Sequence, residues 1–217
     1  MKLIGALVLV LALQLAAVPP SLSAEKGFSV EVERISPYLR DRMTGVSWHE
    51  GCPVPIRALR LMRISYHGFD GDRHVGKLVV HRDAVTAISN AFHSMWRHDF
   101  KIHRMNLIDR FGGSDRRSMA ADNTSAFNCR NVAGTDHWSQ HAYGRAIDIN
   151  PVENPYVRSD GSASPPAGSR YTDRSQQRKG MVHSGDPVVR AFARQGWGWG
   201  GSWSSPKDYQ HFSATGH

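Results

Sequence analysis

Two short stretches carry side chains suited to hydrolytic metal chemistry. In Ser139-Gln140-His141-Ala142-Tyr143-Gly144-Arg145-Ala146-Ile147-Asp148-Ile149, residues Ala146 to Asn150 alternate as a strand. Ile147 and Ile149 take one face, and Ala146, Asp148 and Asn150 take the other. A carboxylate set between two isoleucines and beside a small alanine implies a polar cleft on that face. His141 enters from the preceding loop, and Gly144 permits a tight turn back into the strand. Imidazole nitrogen and carboxylate oxygen delivered to one cleft suit zinc, which binds both at about 2.0–2.2 Å. A catalytic zinc needs a third protein ligand and an open fourth position. The C-terminal stretch Asp208-Tyr209-Gln210-His211-Phe212-Ser213 offers that ligand in His211, directly after Gly196-Trp197-Gly198-Trp199-Gly200-Gly201. With Tyr209 to Ser213 as a strand, residues 208 and 211 project to opposite faces. Asp208 then sits at the loop end, near the metal but not bound to it, where a general base belongs.

These side chains need elements to position them. Leu61 to Tyr66 and Gly76 to Val80 read as strands of a hairpin around the turn-rich Gly68-Phe69-Asp70-Gly71. Beyond Val80 the period changes: Val85, Ile88, Phe92, Met95 and Trp96 share one helical stripe, with Asp83 near its start. That stripe is core, and His93 and His98 are then ordinary residues of the same helix. Phe100 to Ile108 reads as a further strand. Asp186-Pro187 signals a second helix by an N-cap followed by proline at the first helical position, and Gly196 ends it. Between Asn154 and Gly180 the composition turns to Pro, Gly, Ser, Arg and Asp, a connection so long that it is either a functional flap or a mobile insertion. Residues 25 to about 60 lack periodicity and read as an irregular lead-in.

The N-terminus carries an address. Met1-Lys2 is a short positive start, Leu3 to Val18 is apolar apart from Gln14, and Pro19-Pro20 precede small residues at Ser21 and Ser23. This is the pattern of a secretory signal peptide over residues 1–23, and the apolar run falls short of the ~20 residues a membrane span needs. The expected organisation is therefore a leader at 1–23, the lead-in at 24–60 and one catalytic domain at 61–217, with no membrane span once the leader is removed. In an oxidising compartment the two cysteines, Cys52 and Cys129, most simply form one disulfide. Buried free thiols or metal ligation are the alternatives, and the lack of a Cys-x-x-Cys spacing disfavours the latter.

The paired pattern Ser-x-His-x-x-Gly-x-Ala-x-Asp followed by Asp-x-x-His resembles the zinc D-alanyl-D-alanine peptidases of the VanX/VanY type, which share a fold with the Hedgehog signalling domain. Phage endolysins that cut peptidoglycan peptides are similar too. The motif-bearing resemblance runs from roughly Asn123 to Ser213. It implies one zinc ion per chain held by His141, Asp148 and His211, with Asp208 as general base and Ser139 near the substrate. It also implies an arginine upstream that stabilises the oxyanion or clamps a substrate carboxylate. Arg130, in Ser125-Ala126-Phe127-Asn128-Cys129-Arg130, fits that context best, with Arg116 and Arg117 as rivals. The base departs from the commoner glutamate of the dipeptidase members. The implied fold is a single α+β domain of the Hedgehog/DD-peptidase kind, a small and mainly antiparallel sheet flanked by helices around a zinc cleft.

The implied activity is that of a secreted or envelope-located metallopeptidase, carboxypeptidase-like, acting on peptidoglycan peptides. A stem or cross-bridge endopeptidase and a wall-binding module without turnover are the alternatives. The chain has 217 residues with a formal net charge of +8. That surplus suits anionic cell-wall polymers, but charge alone permits only non-specific attraction to nucleic acid. A nuclease also lacks its usual signals here, a carboxylate cluster for Mg²⁺ or a base-stacking array. His137 lies four residues before His141 and is a weak rival ligand. Trp197, Trp199 and Trp203 are equally suited to lining a groove and to packing a core.

Overall fold

The computed structural model describes residues 27–217, so the leader expected at 1–23 lies outside the described residues. Among the described residues, three small sheets and four helices make an α+β fold. Where one sheet is expected, the strands divide among three, because the segments that follow the hairpin are only two or three residues long.

The first sheet holds β1 (Val30–Arg34), β2 (Leu59–Gly68) and β3 (Arg73–His81) in antiparallel order, with α1 (Pro37–Met43) between the first two strands. The hairpin is longer at both ends than its apolar cores indicate. The run at 25–60, read as irregular, contributes the edge strand β1, paired to β2 from Val30↔Ile64 to Arg34↔Arg60. Its residues Glu31 to Arg34 are exposed, so β1 has no alternation to read, and cross-strand hydrogen bonds alone define it. Ser36 caps α1, its side chain accepting from the Leu39 N–H, with Pro37 at the first helical position.

The hairpin is buried on both faces. Met62, Ile64, Leu78 and Val80 face α2 (Val85–Arg97), while Leu59, Leu61 and Val79 pack with Leu39, Met43, Val54 and Phe127. On α2, Ile88, Phe92, Met95 and Trp96 are buried as the helical stripe requires, and Val85 is half-buried. The expected strand from Phe100 to Ile108 shrinks to β4 (Lys101–Ile102), parallel to the end of β2. Beyond it the chain makes an isolated bridge from Met105 to Thr124 and a 3₁₀ turn at Ile108–Phe111, followed by the short helix α3 (Asp115–Ala120).

The second sheet is built on β5 (Ala146–Asp148), and the third on β6 (Tyr156–Val157) and β7 (Ala163–Ser164). The helix α4 (Pro187–Ala193) packs Val188, Ala191 and Phe192 into the main core. Its Asp186 occupies the N-cap position, but the carboxylate accepts from the His183 N–H, not from the helix. The chain closes with β8 (Gly198–Trp199), β9 (Lys207–Asp208) and β10 (His211–Ser213). The second sheet runs β5-β10-β8 and the third β7-β6-β9. The strand expected over Tyr209–Ser213 is thus shortened to β10, and Asp208, expected at a loop end, belongs to β9 in a different sheet.

The connection from Asn154 to Gly180 is an ordered element and no idle loop. It supplies β6 and β7 and a 3₁₀ turn at Pro166–Tyr171, and β6 pairs with β9. Buried polar side chains hold it. Asn154 donates to the carbonyls of Ile149 and Gly180 and accepts from the Val182 N–H at 2.7 Å. Arg174 donates to the carbonyls of Glu153 and Tyr171 and lies 4.4 Å over the ring of Tyr209. Cys52 and Cys129 form a disulfide across 77 residues, which ties the loop before β2 to the segment entering the site. Among the described residues no helix is long and apolar enough to cross a membrane.

Candidate metal centre

Antiparallel pairing of β10 with β5 sets His211 directly opposite Asp148. Side chains directly opposite on neighbouring strands share a face, so register alone brings this pair together. On its other side Asp148 is bridged to Ser125, their backbones exchanging bonds of 2.9 and 3.1 Å. His141 arrives from a 3₁₀ turn, Gln140–Tyr143, capped by Ser139, whose hydroxyl accepts from the His141 N–H at 3.3 Å. Gly144 ends that turn at φ +65°, and a Cβ there would lie 2.6 Å from the His81 nitrogen. Only glycine meets both demands.

The result is a compact cluster. His141 Nε2 lies 3.2 Å from one oxygen of Asp148, His211 Nδ1 lies 3.1 Å from the other, and the two ring nitrogens are 3.3 Å apart. All three residues are buried. His141 Nδ1 lies 2.6 Å from the Ala126 carbonyl, a contact only an N–H can make, so the lone pair of His141 is on Nε2 and faces the cluster. Three acceptor atoms drawn this close repel unless a cation or shared protons lie among them. Four ligands at zinc bond lengths around a tetrahedral ion are about 3.3 Å apart. The donor set and its spacing therefore fit zinc.

The local electrostatics follow from this packing. Burial disfavours the His141 imidazolium, but the adjoining Asp148 carboxylate outweighs it and raises the pKa. Burial alone would lift the pKa of Asp148, yet His141 and His211 hold it well below the ordinary range.

Asp208 reaches the cluster from β9, whose register pairs it with Tyr156 of β6. Its Oδ1 is buried without a hydrogen-bond partner. Burial, with the Asp148 charge nearby, pushes its pKa up to about 7. Gly200 makes room for it: a Cβ at that position would lie 2.9 Å from the Asp208 Cβ.

Arg130 pairs with Asp115 at 2.9 Å, a partner from α3 that no motif signals, and its Nε is buried and unpartnered. Its charge is close enough to act on His141.

The remaining sequence candidates separate cleanly. His137 is exposed beside Asp136. Trp197 and Trp199 are buried in the core, whereas Trp203 is half-buried with its ring 5.7 Å from that of His211. His49 approaches Cys129 Sγ at 3.5 Å, but the sulfur is in the disulfide and offers no thiolate to a metal.

Sequence reasoning misses the polar support of the site. Asn150, at φ +45°, accepts from the His103 N–H and donates to the carbonyls of Lys101 and Gly180, which ties the end of β5 to β4 and to the insertion. Asparagine tolerates that backbone conformation better than most residues, and this is the one signal its sequence position carries.

An α+β fold that gathers two histidines and an aspartate beside a carboxylate with one unpartnered oxygen has the parts of a metallopeptidase. Residues 133–214 match the sequence model of the family described as D-alanyl-D-alanine carboxypeptidase, which shows the family resemblance read from the motifs. The matched segment contains Ser139, His141, Asp148, Asp208 and His211, and Arg130 falls just before it. No curated protein and no solved structure matches the chain.

Proposed function

We propose that this chain is an exported zinc peptidase that hydrolyses a peptide bond of peptidoglycan, with the terminal D-alanyl-D-alanine bond as its favoured target. One observation carries the reading: His141 Nε2, Asp148 and His211 Nδ1 converge at 3.1–3.3 Å beside the unpartnered Oδ1 of Asp208. His141, Asp148 and His211 would hold zinc, which when bound polarises a carbonyl and lowers the pKa of water to about 7. Asp208 Oδ1 accepts the proton of the attacking water and returns it to the leaving amine. Arg130, steadied by Asp115, offers its guanidinium to the developing oxyanion or to the substrate's terminal carboxylate. Ala126 and Ser139 keep His141 in the required tautomer and place.

The test is zinc content and muropeptide hydrolysis of the purified protein beside His211→Ala. About one zinc per chain with a defined fragment released, both lost in the variant, supports the reading. The fragment mass distinguishes a terminal D-alanine from a stem or cross-bridge cut. Zinc without turnover points to a binding module, and absence of zinc removes the proposal.

A further inference from the structure

At the opposite end of β2 from the hairpin turn, five arginines surround one concavity. A cavity of about 360 Å³ is lined by Arg34, Arg40, Arg57, Arg60 and Arg82, with Ile35 and Ile56 as its apolar wall. None of these residues belongs to the candidate metal centre. Next to Arg82, the His81 N–H donates to the Gly144 carbonyl at the end of the His141 turn.

The arrangement is electrostatically costly when empty. Arg34 of β1 stands directly opposite Arg60 of β2, and like charges directly opposite across strands repel. Arg57 comes from the 3₁₀ turn before β2, Arg40 from α1 and Arg82 from the 3₁₀ turn that follows β3. Among the described residues, no carboxylate lies within ion-pair distance of Arg34, Arg40, Arg57 or Arg60. Arg82 meets Asp83 at 3.6 Å, but that carboxylate also serves Arg145 at 3.0 Å and His81 at 3.4 Å. Arg60 is half-buried, and its Nη1 donates to the carbonyls of Arg57 and Leu59, so its guanidinium is held in place. A fixed guanidinium offers a planar fork that matches phosphate oxygens in bidentate fashion.

We propose that this cavity binds successive phosphate groups of a flexible phosphodiester polymer. One phosphate brings at most about two negative charges, too few to satisfy five arginines, so a ligand presenting several phosphates fits the charge better. The volume lies within the range of ordinary ligand sites. The phosphate chemistry stands on the cavity alone. Placing that polymer in the cell wall rests on the peptidase reading, and there the cavity would hold the enzyme against the wall while its cleft works on the peptides.

The experiment is titration calorimetry at low salt with orthophosphate, tripolyphosphate, poly(glycerol phosphate) and a DNA duplex of matched phosphate number. The protein is compared with an Arg34→Gln/Arg60→Gln variant and with Arg170→Gln/Arg178→Gln, which removes equal charge beside Tyr171. Tripolyphosphate and poly(glycerol phosphate) bind at least about tenfold more tightly than orthophosphate, and binding weakens with salt. The cavity variant loses about tenfold or more and the control less than about twofold, because two cavity guanidinium groups are removed in one case and none in the other. Melting curves without ligand are expected to show both variants folded. His211→Ala binds as the parent does, whether or not the parent proves to be a peptidase. Equal losses in the two double variants, or no binding to either oligophosphate, overturn the site. A DNA duplex that binds as tightly as poly(glycerol phosphate) overturns the assignment to a flexible polymer.

Discussion

The β2–β3 hairpin with α2 and the β5–β10 pair with the His141 turn are built by different forces. The hairpin is nine or ten residues on each strand, apolar on both faces, and α2 lays Ile88, Phe92, Met95 and Trp96 across it. The paired strands of the candidate site are three residues each. They are held by buried polar side chains such as Asn150 and Asn154, and by turns that only glycine can make at Gly144. Apolar burial is non-directional and tolerates small shifts, whereas a metal site needs donor atoms placed within a few tenths of an ångström. The scaffold therefore supplies stability and the polar lattice supplies position.

Substitutions should separate these two roles, and the largest effect is expected at the site. Asp208→Asn keeps the three candidate ligands and the zinc content but lowers kcat by about 10²–10⁴-fold, as loss of a general base does. A variant that loses zinc along with activity would show Asp208 to be part of the metal's support.

On the scaffold side, Phe92→Ala leaves a cavity in the main core and costs about 3–5 kcal/mol of unfolding free energy, read from denaturant melts. Zinc affinity of the folded fraction should hardly move. A matching fall in zinc affinity would mean that the two regions are mechanically one.

A pH series sharpens the same contrast within the polar lattice. Glu153 is buried against Asp122, and burial with that neighbouring charge raises its pKa from 4.5 to about 8. Between these values the folded protein keeps a proton that the unfolded chain has lost, so stability falls as pH rises through this window. Glu153→Gln should flatten that fall, a difference on the order of 3 kcal/mol at the alkaline end. Parallel stability curves for the two proteins would remove the carboxyl pair from the account.

Gly144→Ala is next in size. The positive φ and the close approach to His81 together predict about 1–3 kcal/mol of destabilisation, with zinc affinity falling because the His141 turn shifts. Ser139→Ala is the smallest, about 1 kcal/mol for loss of a cap. If Ser139 also touches substrate, KM rises in this variant beyond what the stability change accounts for. An unchanged KM leaves it with the capping role alone.

Much of the scaffold is legible in the sequence because its signals are local. Alternation and a 3.6-residue period mark β2, β3 and α2, and the spacing Asp-Pro…Gly marks α4. The candidate ligands are legible through residue type and motif. Their partners are not: Asp115 beside Arg130, the Asn150 and Asn154 amides, and Glu153 against Asp122 are ordinary polar residues until the chain folds. The edge strand β1 and the bracing of Asp208 by β6 are equally silent, since exposed and very short strands carry no periodicity.

The sequence by itself determined that a hairpin and a helix would share a core, and that His141, Asp148, His211 and Asp208 would be available for hydrolytic chemistry. Tertiary structure alone decided that β10 opposes β5 in the register that sets His211 against Asp148, and that the 154–180 segment supports Asp208. It also decided that five arginines from five separate elements face one cavity. The reason is physical. Periodicity records how each segment meets the core, whereas pairing register and convergence of distant side chains depend on contacts between residues far apart in the chain.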